Sequence, residues 1–302
     1  MFGGMRKRIK SLYHRYFARS IYSLLRIWQP ILHLKQRTFF DKFNIKTKDG
    51  ITFSLYNNAF KLETELFWCG FEKSPWERKT REIWSALAKK SKVILDIGAN
   101  TGIFSVLAKA YNPSAEVHAF EPQPNVYRVL KKNSDNNQFD IHCHLLALSD
   151  EAGELPFYNT GFSTFEANNT THGSLNKEWR TEHQHSIVVK VERLDQFVER
   201  NEIGLIDLIK IDVETLEYEV LMGYGYLLLQ HRPIIILEIQ TQEIGDRLYK
   251  LLSPHAYRFF WINEDSGLLS VEELGTRTNH ENLNYLCCPA EKEGLIKNWV
   301  YK

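Results

Sequence analysis

The stretch that most constrains the fold is Val93 to Gly102, VILDIGANTG. Val93, Ile94, Leu95 and Ile97 make a short apolar run bounded by turn residues, the pattern of a strand buried on both faces. Ile103, Phe104, Val106, Leu107, Ala108 and Ala110 then recur at helical spacing, so the chain passes from strand to helix through Gly98 and Gly102. Further strands are expected at 116–120, 140–146, 206–211, 233–239 and 257–262, with a last apolar run near 283–288. Helices are expected at 123–134, 214–229 and 241–252. Strands alternating with helices imply a doubly wound, mostly parallel α/β sheet. In such a sheet a ligand binds beyond the carboxyl ends of the strands, where strand order reverses, with the first strand beside that point.

Asp96 bears on which ligand. A dinucleotide-binding turn reads G-x-G-x-x-G, but Asp96 stands at the first glycine position and Thr101 at the last, leaving D-x-G-x-x-x-G. Pyrophosphate is repelled by that carboxylate, and a cation is attracted to it. Glu121 ends the next strand 23 residues after Gly98, where a carboxylate accepts hydrogen bonds from both ribose hydroxyls. S-adenosylmethionine, an adenosine carrying a sulfonium and an ammonium, meets both requirements. Glu121 alone leaves a nicotinamide dinucleotide open, and the absent glycines are what separate the two.

The same residues, taken in order, resemble the FkbM-type S-adenosylmethionine-dependent methyltransferases. The series runs through Asp96 to Gly102, then Phe120-Glu121-Pro122-Gln123-Pro124 with Leu130 and Asn133 downstream. It continues with Ala147-Leu148-Ser149-Asp150 and Gly153, Leu194-Asp195, and Ile209 to Glu214. The resemblance implies a seven-stranded, Rossmann-like class I methyltransferase domain and methyl transfer to a hydroxyl of a glycan, a lipid-linked sugar or a natural product. It implies cofactor contacts at Glu77, Asp96, Gly98, Asn100, Thr101, Gly102, Glu121, Pro122, Ala147 and Ser149. One departure stands out: the family usually has glycine after Asp-Val-Glu, and this chain has Thr215.

Chemistry is expected where Lys210, Asp212 and Glu214 share one side of a strand end. An alcohol is a weak nucleophile at neutral pH, so Asp212 is the candidate base, although alignment of oxygen, methyl and sulfur can supply most of the rate. Lys210 reads equally as a substrate contact or an ion-pair partner of an acid. Glu214 and Glu217 read as helix-start acids. Glu238, an acid near the end of the apolar run PIIILEI, must be paired or liganded if buried. It is expected to touch substrate, satisfy a lysine, or join Asp212 at a divalent ion, though no metal-ligand spacing is visible. Two other readings stay open: a nicotinamide-dependent oxidoreductase, and a catalytically silent binding module that keeps the fold.

Outside this region the informative feature is charge. Residues 1–40 carry nine Lys or Arg and no acid, so the remaining 29 bases face 37 acids and the body is near −8. On a helical wheel Arg8, Arg15, Arg19 and Arg26 form one stripe, opposite Phe17, Ile21, Leu24 and Trp28. Arg26 and Pro30 interrupt the apolar portion, so no membrane-spanning helix is expected, and no small-residue cleavage site suits a signal peptide. Such an arm suits a membrane surface, a second subunit or its own domain. The acidic body argues against nucleic acid. Cys69, Cys143, Cys287 and Cys288 show no disulfide or metal spacing, which suits a cytoplasmic protein. The expected organisation is an arm at 1–40, strands and a helix packing on the core at 41–90, and the cofactor-binding domain at 91–302. The polar stretch 159–186, with Phe162, Ser163, Thr164, Phe165, His172, His183 and His185, is expected to form a lid or substrate wall.

Overall fold

The computed structural model describes residues 13, 17–26, 28, 36–159, 173–178, 185–276 and 283–301. Helix α1 (Ala18–Leu25) precedes a hairpin of β1 (Phe40–Lys46) and β2 (Thr52–Asn58), which turns at Asp49-Gly50 with Gly50 at φ +84°. Helices α2 (Lys61–Cys69) and α3 (Arg78–Ala88) follow. Then come β3 (Val93–Ile97), α4 (Ile103–Tyr111), β4 (Glu116–Phe120), α5 (Pro124–Asn137) and β5 (Ile141–His144). Strands β6 (Ala147–Ser149), β7 (Gly153–Asn159), β8 (Gly173–Ser174) and β9 (His185–Arg193) build a separate small sheet in the order β6-β9-β7-β8. The chain returns through α6 (Leu194–Arg200), β10 (Leu208–Ile211), α7 (Glu217–Tyr224), α8 (Leu227–His231) and β11 (Ile234–Glu238). It finishes with α9 (Gln242–Leu252), β12 (Tyr257–Asn263), β13 (Gly267–Val271) and β14 (Asn284–Pro289).

The main sheet has the order β13-β12-β14-β11-β10-β3-β4-β5. Strands β5, β4, β3, β10 and β11 run parallel, and β14 enters antiparallel to both β11 and β12. Strand order reverses between β3 and β10, so their carboxyl ends frame the crevice. The sheet has eight strands where seven are expected. The extra one, β13, is the return arm of a hairpin whose turn is set by Asn263, whose side-chain oxygen accepts from the backbone N–H of Asp265 and Ser266 at 3.0 and 2.9 Å.

Every residue of β3 is buried because both faces of the sheet are covered. Ile94 joins the core shared with the hairpin, α2, α3 and α4, and Leu95 and Ile97 point the other way into the core under α7 and α9. The expected single helix at 214–229 is shorter and broken. Glu214 and Thr215 sit at φ +57° and +83°, outside helical space, so α7 starts only at Glu217, and Gly225 at φ +56° separates it from α8.

Helix α1 keeps the two sides of the helical wheel and packs inward on the arginine side. Ala18 and Tyr22 are buried, with Tyr22 against Phe39 and Trp68 at ring-centroid distances of 6.5 and 5.5 Å. Both described arginines flank that inward side: Arg19 pairs with Asp41 at 3.3 Å, and the Arg26 guanidinium lies 5.4 Å over the Phe67 ring. The Phe67 ring holds the Arg26 charge by stacking and Asp41 holds Arg19, so the helix packs through its mixed side. Phe17, Ile21, Leu24, Leu25 and Trp28 are left exposed. Arg6, Lys7, Arg8, Lys10 and Arg15, and residues 160–172 and 179–184 with Phe162 to Phe165, His172 and His183, lie outside the described residues. Among the described residues no helix is long and apolar enough to cross a membrane.

Candidate active site

The turn after β3 is held by the protein itself. The backbone N–H groups of Gly98 and Ala99 donate to the Phe120 carbonyl at 3.0 and 2.8 Å, and Asp212 N–H donates to the Ile97 carbonyl at 2.9 Å. Gly98 takes φ +77°, and a Cβ there would lie 1.9 Å from the Asp212 carbonyl oxygen. Gly102, at φ +84°, lies against Leu130, 2.3 Å from where a Cβ would stand. The glycines therefore let strand ends and a helix close on one another. Gly98→Ala is expected to lower unfolding free energy by about 2 to 5 kcal/mol, combining left-handed strain with overpacking; urea denaturation with an unchanged midpoint would refute this. Asn133, fully buried on α5, donates to the Thr101 carbonyl at 2.8 Å and accepts from Tyr56 N–H at 2.7 Å, tying the turn to β2.

Beyond these strand ends lies a cavity of about 460 Å³. Of the expected site residues, Glu77, Asp96, Gly98, Asn100, Thr101, Glu121, Pro122, Ala147, Lys210, Asp212 and Glu238 line it. Gly102 and Ser149 do not. Gly102 is turned onto Leu130, and the Ser149 carbonyl is covered by Gly223 of α7, where a Cβ would come within 2.0 Å; Leu148 lines the cavity beside Ala147 instead. Helix α2, which carries no glycine or strand signal, adds Lys61, Glu63 and Glu65. Glu63 is buried and accepts from Thr101 Oγ1 at 2.5 Å. Its only signal in the sequence is an acid among apolar neighbours in FKLETELFW.

The cavity is acidic, and among the described residues its basic lining is Lys61 and Lys210. Glu121 is buried, its two oxygens accepting from Asn100 N–H at 3.1 Å and Gln123 N–H at 2.7 Å. Asp96 accepts from Ser105 Oγ at 2.5 Å, and burial raises its carboxyl, with Lys210 opposing. Glu77, at the start of α3, has one buried oxygen with no hydrogen-bond partner among the described residues. Burial raises Glu63 and Glu77 to about 7, and Glu121 and Glu217 to about 8. A raised carboxyl keeps its proton in the folded state after the unfolded chain has lost it, so its stabilisation is full below about pH 4.5 and is lost as pH rises through 7 to 8. The ligand-free protein is therefore expected to melt about 5 °C or more lower at pH 8.5 than at pH 6.5. A melting temperature that holds or rises across that window would show these acids to be ionised.

Lys210, the cross-strand neighbour of Asp96, pairs through Nζ with Asp212 Oδ2 at 2.6 Å and lies 4.6 Å over the Phe104 ring. Burial opposes its charge, but Asp212, Glu77 and Asp96 outweigh burial and hold it protonated, above the usual lysine range. Gln240 Nε2 donates to Glu214 Oε2 at 2.5 Å and to Glu238 Oε2 at 3.0 Å. Glu238 is raised well above the usual carboxyl range by burial first and then by Asp212 and Glu214. Among the described residues no lysine pairs with Glu238, and no cation-binding group joins it to Asp212. Thr215 sits where glycine is usual for a physical reason, its φ of +83°, and its hydroxyl accepts from Asn176 Nδ2 at 3.0 Å. Ser174 Oγ donates to the Glu214 carbonyl at 2.7 Å, so residues 173–178 are latched to this turn. Glu217 braces it from below, accepting from Val213 N–H and Thr215 N–H at 3.3 Å each.

Buried acids around an orphaned carboxylate oxygen fit a cationic ligand, and Glu121 at the end of β4 fits a ribose; the residues present suit S-adenosylmethionine. Fold and cavity together define a Rossmann-like α/β protein of the class I methyltransferase type. The chain belongs to the methyltransferase FkbM domain family, whose model matches residues 96–259. It is similar to the AMB antimetabolite synthetase AmbE of Pseudomonas aeruginosa, at 30% identity over 55% of this chain and 9% of that protein. The hexuronic acid methyltransferase AglP of Haloferax volcanii is 30% identical over 55% of this chain and 63% of its own length. The 31-O-demethyl-FK506 methyltransferase FkbM of Streptomyces tacrolimicus is 32% identical over 43% of this chain and 58% of its own length. This chain thus spans less than two thirds of each of these relatives.

Proposed function

We propose that this protein is an S-adenosylmethionine-dependent O-methyltransferase acting on a hydroxyl of a glycan, a lipid-linked sugar or a natural product. The observation that carries the reading is the Lys210–Asp212 pair at the reversal of strand order, its lysine buried and its carboxylate partly exposed, in a cavity that Asp96 and Glu121 also line. When bound, S-adenosylmethionine supplies a methyl group activated by its sulfonium. Glu121 accepts from the ribose hydroxyls, while Asp96 and Glu77 offset the positive charge. Asn100, Thr101, Pro122 and Ala147 form the adjoining wall. Asp212 would accept the acceptor hydroxyl's proton during methyl transfer, and Lys210 would hold its carboxylate in place. Glu238, kept protonated by burial, donates a hydrogen bond to an acceptor oxygen rather than serving as a base. Hydroxylated acceptors incubated with methyl-labelled S-adenosylmethionine should gain label and release S-adenosylhomocysteine; tight binding of NAD with none of S-adenosylmethionine would overturn the reading.

The exposed ridge of α1 supports a peripheral contact with the anionic inner face of a membrane. Phe17, Ile21, Leu24, Leu25 and Trp28 face outward from a segment whose sequence carries nine bases and no acid. Apolar insertion plus attraction to anionic headgroups suits such a helix. Co-sedimentation with phosphatidylglycerol vesicles is expected and should be lost in Leu24→Glu. Dimerisation without vesicle binding, read by light scattering, would assign the ridge to a second copy instead.

A further inference from the structure

At the opposite end of the sheet from the cavity, the amino-terminal end of β4 and the neighbouring edge strand β5 bring together Glu116, His118 and His142. Glu116 and His118 are two apart on β4 and so share a face, and His142 stands directly across from His118 in the parallel register. One ligand atom from each of the three lies within 4.8 Å of the others. Glu116 Oε1 and His118 Nε2 are 2.8 Å apart, and the rings of His118 and His142 stack at 4.7 Å with 20° between their planes. The other nitrogen of His118, Nδ1, meets His144 Nε2 at 3.1 Å. A partner on the second ring nitrogen fixes which nitrogen faces outward, the arrangement that orients imidazole ligands in metal sites. Glu116 and His142 are exposed, so an ion can enter and keep waters in its remaining positions.

We propose that Glu116, His118 and His142 form a binding site for a first-row transition-metal ion, zinc in the first instance, that clamps the edge strand β5 to β4. Two imidazoles and one carboxylate suit zinc, nickel or copper; magnesium and calcium prefer oxygen alone. The site is separate from the methyl-transfer reading: it lies on the far end of the strands, and it needs neither cofactor nor acceptor. No bond is made or broken, and the ion's role is to staple.

The test uses the full chain freed of any histidine tag, stripped with chelator and titrated with zinc chloride by calorimetry. One equivalent is expected to bind with micromolar or tighter affinity and to raise the melting temperature. Glu116→Gln and His142→Ala, both on the surface, should each weaken binding about tenfold or more, while His255→Ala, at a turn elsewhere, should not. Absence of saturable binding at one equivalent, or binding unchanged in both ligand variants, would overturn the proposal.

Discussion

Asp212→Asn is expected to slow methyl transfer by about 100- to 10,000-fold, the range for removing a positioned general base. Cofactor affinity should stay near that of the parent chain. Asparagine keeps the shape of the side chain but cannot hold a proton taken from the acceptor hydroxyl. It also leaves the Lys210 ammonium without the carboxylate now 2.6 Å away. Glu77 and Asp96 remain to hold Lys210 charged, so the core should not open. Single-turnover transfer from labelled S-adenosylmethionine, alongside calorimetric cofactor titration, separates the two effects. Equal rates in variant and parent would reduce Asp212 to a partner of Lys210.

Glu121→Ala should weaken cofactor binding by about 30- to 1,000-fold. Two hydrogen bonds from ribose hydroxyls to a charged acceptor are worth roughly 1.5 to 3 kcal/mol each. Part of this is offset, because burial holds the free carboxyl at about 8 and its proton must leave before it can accept from both hydroxyls, at about 1.4 kcal/mol per pH unit. Parent affinity should accordingly strengthen as pH rises toward 8 and level off above it. The side chain also accepts from Asn100 and Gln123, so Glu121→Gln, which keeps one carbonyl acceptor, should lose less affinity than the alanine variant. Equal affinity in all three proteins would remove the ribose assignment.

Much of the β3 end was legible in sequence because its signals are local. An apolar run, an acid at its end and glycines in the following turn specify strand, crevice and helix within ten residues. Asp212 and Lys210 were legible for the same reason, since strand alternation alone places them on one side. Helix α2 was not, because Glu63 enters the cavity only through the packing of the hairpin and α2 against α4, which no periodicity encodes. The glycines carried a different meaning in three dimensions: Gly98 yields to the Asp212 carbonyl and Gly102 to Leu130, contacts between residues distant in the chain.

Sequence by itself determined the alternation of strands and helices that makes a doubly wound class, and the acids at the ends of β3, β4 and β10, because hydrophobic period and turn chemistry act over a few residues; the same motifs carried the resemblance to the family. Tertiary structure alone decided the eighth strand, which way α1 faces, the upward shift of the Glu77, Glu121 and Glu238 carboxyls, and the meeting of Glu116 with His118 and His142. Each of these depends on what is packed against a group, and burial and cross-strand proximity exist only once the chain has closed on itself.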